Sequence, residues 1–298
     1  MKKISINHYA STTRNHPACH DSICCVMEMN PYFHFRDTSK TVNTSDRFKK
    51  INTIAKKMNY LERSNAEEFG RYKKTWQIML AGDSIVLGSP INLYQNIWDF
   101  ACIMSQKIYD LIQFQFDFLE SGELLRGRIE RCDLILQNRI VYGDGYSKAV
   151  SSLYQSKGVD LPMVVLSRSM VNFIYELQRH YGANLIHSPF SRYIIKDQLG
   201  NLFLNFLIPL AEDAKGVQTE DQNNTLLNLK YQIEKKISEI SKDDLYSLRI
   251  FNWYADYFNY FCKTFLGITN VNRLIDKNET NQFSLIFGER VSGKERLK

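Results

Sequence analysis

The chemistry-bearing residues of this chain are spread thinly, and the most conspicuous is an acidic turn. Asp83 follows Gly82 in Ala81-Gly82-Asp83-Ser84, between the apolar runs Thr75–Leu80 and Ser84–Leu87. Apolar runs on both sides of a short Gly/Asp turn predict a β-hairpin with the carboxylate at its tip. Gly-Asp is also one of the commonest turn dipeptides, so an ordinary turn is the competing reading. A second cluster, His16, Cys19, His20, Cys24 and Cys25, has ligand types that structural zinc sites use. Successive residues of a strand point to opposite faces, so Cys24 and Cys25 cannot both serve one ion, and no second Cys-x-x-Cys follows. Ser167 and Ser169 flank a predicted helix start with no evident histidine partner. The sequence has no Walker A loop, no Gly-x-Ser-x-Gly elbow and no His-Glu-x-x-His helix.

Composition narrows the class. With 298 residues, 44% hydrophobic and 13% aromatic, the chain can bury a sizeable core and is not a disordered protein. The nearest thing to a membrane span, Ile97–Leu119, is interrupted by Asp99, Gln106, Lys107, Asp110, Gln113, Gln115 and Asp117. The N-terminus opens on two lysines with no apolar run behind them, so no secretory signal is expected. The six scattered cysteines read as reduced thiols, which together with the missing signal predicts a cytoplasmic protein without a membrane partner. A net charge of +6 suits a polyanion such as a nucleoside triphosphate or RNA, although the lysine pairs also fit solvated helix faces. An RNA-binding module would need aromatic residues on surface strands, whereas the aromatics here fall on buried-looking helices. Nucleic acid is therefore the less favoured ligand.

The elements that must position these residues follow from periodicity. Ser22–Met29 predicts a buried strand, and Asp46–Leu61 an amphipathic helix with its lysines opposite the apolar face. After the hairpin, Asn92–Leu119 is a long helical pattern. Strands are expected at Leu124–Arg131 and Arg139–Tyr142, framing a polar turn at Asp133–Asn138. Gly145–Gln155 predicts a crossover helix leading through Pro162 into the strand Met163–Leu166. Ser169–Arg179 predicts a helix capped by Ser167 or Ser169. Tyr193–Lys196 and Leu202–Leu207 enclose a turn at Asp197–Gly200, and Leu226–Ile240 and Asp244–Phe265 are two strong helical stretches. The order argues for a mixed α/β sheet followed by helices.

Three stretches in this order resemble the catalytic domain of class III adenylate and guanylate cyclases, and more closely a group of bacterial cyclase-like proteins related to the pyrimidine cyclases of antiphage signalling. They are Cys24–Phe33, Ala81–Pro90, and the run from Leu125-Arg126-Gly127-Arg128-Ile129 through Val141-Tyr142-Gly143-Asp144-Gly145 to Leu161–Ser167. The resemblance covers residues 22–210, and the final aromatic helix Arg249–Asn259 resembles that of the bacterial group. It implies an α/β (α+β) fold of the ferredoxin-like, palm cyclase type: a mixed sheet with helices on one face, plus a C-terminal helical hairpin. The expected division is an irregular arm at 1–20, the cyclase-like domain at 21–210, a helical appendage at 211–270 and a basic tail at 271–298.

What the resemblance implies about chemistry is a nucleoside triphosphate bound with Mg²⁺ (or Mn²⁺) in a homodimer. The metal-binding and catalytic carboxylates would be Glu28 and Asp83, with Gly82 leaving room for the triphosphate. Glu28 stands where the family places Asp, and its extra methylene moves the oxygens by more than about an ångström in a site whose ion demands octahedral geometry. Ser147 and Ser151 stand where active purine cyclases carry Asn and a charge-stabilising Arg. Lys148 and Arg126 are the basic groups available to replace it, and Ser84 adjoins the acidic turn. Two functions follow as expectations: a cyclase making a cyclic nucleotide signal in bacterial signalling or antiphage defence, or a degenerate cyclase fold acting as nucleotide sensor or protein-interaction module.

Overall fold

The computed structural model describes residues 20–34, 76–81, 84–91, 97–137, 140–155, 161–180, 190–211, 220–268, 270, 274–276 and 281–285. The N-terminal arm, the helix expected over Asp46–Leu61, the turn residues Gly82 and Asp83, and most of the basic tail lie outside them. In chain order the elements are β1 (His20–His34), β2 (Gln77–Ala81), β3 (Ser84–Pro90), α1 (Ile97–Glu120), β4 (Glu123–Gln137), β5 (Ile140–Tyr142), α2 (Asp144–Gln155), β6 (Val164–Leu166), α3 (Arg168–His180), α4 (Phe190–Tyr193), β7 (Ile194–Asp197), β8 (Leu202–Leu204), a 3₁₀ turn at Ile208–Leu210, α5 (Glu220–Glu239), α6 (Leu245–Phe265) and β9 (Phe283–Leu285). This is a mixed α/β chain with mostly antiparallel strands. It divides into two compact units, one built from residues before Asn96 and from Asp117–Met170, the other from Asn96–Phe116 and Val171 onward.

The first unit is a sheet of order β2-β3-β1-β4-β6, with β5 pairing the far end of β4. Every pairing is antiparallel except that of β4 with β6, which needs the crossover helix α2. Register decides what faces what. Val26 lies opposite Val86 on one side and Arg128 on the other; two residues along, Glu28 lies opposite Ser84 and Arg126. Side chains alternate, so Cys24, Val26 and Glu28 share a face with Val86, Ser84, Arg126, Arg128 and Glu130. Helix α2 covers part of that face, burying Cys24, Val26, Val86, Leu134 and Leu136 beneath Ala149 and Leu153. The opposite face is apolar throughout its middle: Ile23, Cys25, Met27, Ile85, Leu87, Leu125 and Ile129 are all buried.

Two strands outrun their sequence expectation. β1 continues past Met29 through Pro31 to His34, with a register shift against β4 between Met29 and His34. Proline has no amide to give the ladder, and a bulge lets the strand carry it. β4 runs straight through the polar turn expected at Asp133–Asn138 as far as Gln137. Asp133 is exposed while Leu134 and Leu136 are buried, a period-2 alternation that the polar composition masked. Helix α2 then starts at a glycine-dependent corner. Gly143 has φ 145°, and a Cβ there would meet the carbonyl oxygen of Asp133.

In the second unit β7 and β8 form the hairpin expected around Asp197–Gly200, paired Ile194↔Leu204 to Lys196↔Leu202. The Asp197 carboxylate accepts the amides of Leu199 at 2.9 Å and Asn201 at 2.8 Å, and Gly200 takes φ 87°. Helix α6 is capped by Asp244, whose carboxylate accepts the Ser247 amide at 3.0 Å. Its apolar face buries Trp253, Tyr257, Phe258 and Phe261, and helix α5 packs on α6. Strand β9 pairs with β7 and sets Phe283 against Trp253 and Tyr257. Among the described residues, no helix is long and apolar enough to cross a membrane.

Candidate functional site

Three residues far apart in sequence meet where β1, β3 and β4 run side by side at the hairpin end of the first unit. Glu28 sits on β1, Ser84 opens β3, and Arg126 lies near the start of β4. The Arg126 guanidinium donates through Nη2 to Glu28 Oε2 at 3.0 Å, and the Ser84 hydroxyl donates to Glu28 Oε1 at 3.3 Å. The side chains are 16% and 10% exposed for Arg126 and Glu28, so the pair is largely withdrawn from water. A contact spanning 98 positions at such depth exists because the register forces it: both partners face Glu28 directly across the ladder. The same register joins Ala81 to Ser84, and the two residues between them in sequence, Gly82 and Asp83, are outside the described ones.

The candidate positions on α2 behave differently. Ser147, Lys148 and Ser151 are all exposed, because α2 docks through Ala149 and Leu153 and turns these residues outward. Structure therefore brings Glu28, Ser84 and Arg126 together, and places Ser147, Lys148 and Ser151 on the outer face of a neighbouring helix. The hydroxyls at 147 and 151 carry no charge that could take over the role of an arginine.

Sequence reasoning missed a second polar cluster on the same sheet face. Arg128 donates through Nε to Glu130 Oε1 at 2.8 Å. Glu130 Oε2 in turn accepts the Ser169 hydroxyl at 3.2 Å, and Ser169 Oγ lies 2.8 Å from Ser167 Oγ. Ser167 also receives the Met170 amide at 3.2 Å, so it is the residue that caps α3. Arg131, on the opposite face, forms a bidentate pair with Asp21, Nε donating to Oδ1 and Nη2 to Oδ2. The available signal was Arg126-x-Arg128-x-Glu130, charges at every second position of a strand, which places them on one face.

Cys24 and Cys25 do not converge. Cys24 lies under α2 and Cys25 on the other face of β1, while His16 and Cys19 are outside the described residues. The Cys24 thiol is pushed well above its ordinary value by its hydrogen bond with Cys132 and by burial, and burial pushes Cys25 up as well. Neither is poised as a thiolate. Among the described residues no group of three or more His, Cys, Asp or Glu side chains gathers as a metal site. Glu28 offers the hard oxygens that Mg²⁺ takes, but those oxygens are engaged by Arg126 and Ser84. An ion there would share Glu28 with the guanidinium or displace it, since each carboxylate oxygen has two lone pairs.

No protein-family model and no curated protein matches the sequence. Among solved structures, the chain is similar to the monomeric guanylyl cyclase domain of the RhoGC fusion protein from the aquatic fungus Blastocladiella emersonii, at 11% identity and TM-score 0.38 over 63% of this chain and 96% of that one. It is also similar to the catalytic core of a rhodopsin-guanylyl cyclase with converted specificity, in complex with ATPαS, at 11% identity and TM-score 0.36 over 63% and 96% of the two chains. An adenylate/guanylate cyclase/hydrolase from Silicibacter pomeroyi follows at 11% identity and TM-score 0.27, over 61% and 94%. Similarity of this extent assigns no activity.

Proposed function

We propose that the first unit binds a nucleoside triphosphate together with Mg²⁺ or Mn²⁺, as the sequence resemblance to class III cyclases implies. One observation supports this above the others: Glu28, Ser84 and Arg126 converge on a single point of the sheet, next in sequence to Gly82-Asp83. In this reading Glu28 and Asp83 would hold the ion, which when bound supplies positive charge against the triphosphate and activates an attacking hydroxyl. Arg126, released from Glu28, meets phosphate oxygens, and the Ser84 hydroxyl orients the carboxylate. The exposed Ser147, Lys148 and Ser151 would face nucleotide only across a homodimer, which is part of the proposal. Turnover would join the 3′-oxygen to the α-phosphate, release pyrophosphate and give the hydroxyl proton to solvent, making a cyclic nucleotide signal.

The pairing of Glu28 with Arg126 favours a second reading, in which nucleotide binds without turnover and the protein serves as a sensor or interaction module. Incubation with each of the four nucleoside triphosphates and Mg²⁺ or Mn²⁺, beside calorimetric titration, separates the two. A cyclic product that disappears in Asp83→Ala supports the cyclase. Binding without product supports the sensor. No binding of any triphosphate sinks the cyclase and the nucleotide sensor and leaves only a protein-interaction scaffold.

A further inference from the structure

Among the described residues, Arg128 is a basic group of this face with hydrogen-bonding capacity left over. Among the described residues only its Nε is used, on Glu130 at 2.8 Å, its two terminal amino groups meet no partner there, and its side chain is 24% exposed. Guanidinium presents five donors in a flat fork that matches phosphate oxygens two at a time. Fixing Nε alone holds the fork in one orientation and leaves its outer edge for an anion.

The support behind Arg128 is unusually complete for a surface arginine. Glu130 is only 9% exposed and is held on its other oxygen by Ser169 at 3.2 Å. Ser169 is held by Ser167 at 2.8 Å, and Ser167 is fixed by accepting the Met170 amide at the start of α3. The proton assignment is consistent along the chain: Ser167 donates to Ser169, Ser169 to Glu130, and Glu130 accepts from both sides. Arg128 stands two residues from Arg126 on the same strand, so the two guanidinium-bearing side chains leave the same face.

We propose that Arg128 is a second phosphate-binding arginine of this face, beside Arg126, and that Glu130 and Ser169 are positioning residues that aim its terminal amino groups. The proposal rests on the reading of the first unit as a triphosphate site. It supplies the cation that Ser147 and Ser151 lack, from the sheet rather than from the helix. The ligand chemistry is a polyphosphate, of which the nucleotide is the form argued above.

The test uses the full chain and two probes, inorganic tripolyphosphate without metal and a nucleoside triphosphate with Mg²⁺. Arg128→Gln should weaken both by about tenfold or more, the worth of a charge-assisted bidentate contact, while an unphosphorylated nucleoside is unaffected. Arg128→Lys should recover part of the loss, since it restores charge but not the fork. Glu130→Gln should weaken binding less than Arg128→Gln, and the double variant should bind like Arg128→Gln alone, because Glu130 acts through the arginine. Thermal melts confirm that each variant is folded. If wild type binds nucleoside triphosphate in an Asp83-dependent way and Arg128→Gln binds equally well, this inference is overturned and the triphosphate reading stands. If tripolyphosphate binds through Arg128 but Asp83→Ala and the nucleoside make no difference, the nucleotide reading fails and the arginine assignment stands. Binding of neither probe overturns both.

Discussion

Glu28 carries one methylene more than the aspartate that the family resemblance expects at its position, and its carboxylate lies between Ser84 and Arg126. A shorter side chain on the same backbone draws the carboxylate back toward β1 and loosens its hold on the guanidinium. Glu28→Asp should therefore free the carboxylate for an ion, and if the chain turns over nucleotide it should raise product formation by about tenfold, equivalent to ~1.4 kcal/mol of barrier. An unchanged or lower rate would show that Glu28 is not limiting as a metal ligand. Glu28→Ala has a different consequence. It takes from the largely buried Arg126 its carboxylate partner, and urea unfolding should show a loss of about 3 kcal/mol, at the lower edge for a buried ion pair broken on one side. At this scale the sequence singled out Glu28, which the ladder sets against Ser84 and Arg126, while Asp83 lies outside the described residues. It was opaque at Arg128, Glu130 and Ser169, because two of these are on one strand and the third is 39 positions beyond Glu130; only the fold supplies the register between β4 and the cap of α3.

The elements holding the site depend on close approaches that can be tested without touching its chemistry. Helix α2 reaches β4 because Gly145 lies directly on the Cys132 side chain; a Cβ at 145 would collide with Cys132 Cβ and Sγ. Gly145→Ala should lift the helix off the sheet and cost roughly 1–3 kcal/mol, the usual range for overpacking, read as a lowered melting temperature. The compensating variant Gly145→Ala with Cys132→Gly, which removes both colliding atoms, should recover part of it. In the second unit, α1 buries Lys107 almost completely. Burial lowers its pKa to about 7, against the partial support of Asp110. The unfolded chain has an ordinary lysine near 10.4, so between these values it binds more protons than the folded chain. Stability from this group therefore rises as pH climbs from about 7 toward 10, and below 7 the full cost of burying the ammonium applies. Denaturant unfolding of wild type and Lys107→Met at pH 7 and pH 9.5 should show a gap in favour of the variant that narrows with pH. A gap independent of pH would mean that Lys107 keeps its proton when folded. Sequence periodicity read these elements well where the alternation was apolar, as in β1, β3 and α6. It failed across Asp133–Gln137, where turn-like residues sit on a strand that only its β1 and β5 partners hold extended.

For the whole molecule the open quantity is assembly. The resemblance implies a head-to-tail homodimer in which a helix of one copy completes the site of the other, and α2 presents Ser147, Lys148 and Ser151 outward as such an arrangement requires. A ligand that touches both copies binds the dimer better than the monomer, so it must shift the association equilibrium by mass action. Sedimentation of the chain should therefore show a larger dimer fraction with nucleoside triphosphate and Mg²⁺ than without, at equal protein concentration. Lys148 is the outward cation on that helix, and Lys148→Glu, which reverses its charge without touching the packed face of α2, should reduce the nucleotide-linked gain while leaving monomer stability within about 0.5 kcal/mol. If nucleotide binds at Glu28 and Arg126 yet the chain stays monomeric at every concentration, the trans arrangement is excluded. The cation for the phosphates must then come from the same copy, and Arg126 and Arg128 on β4 are the residues that face the right way.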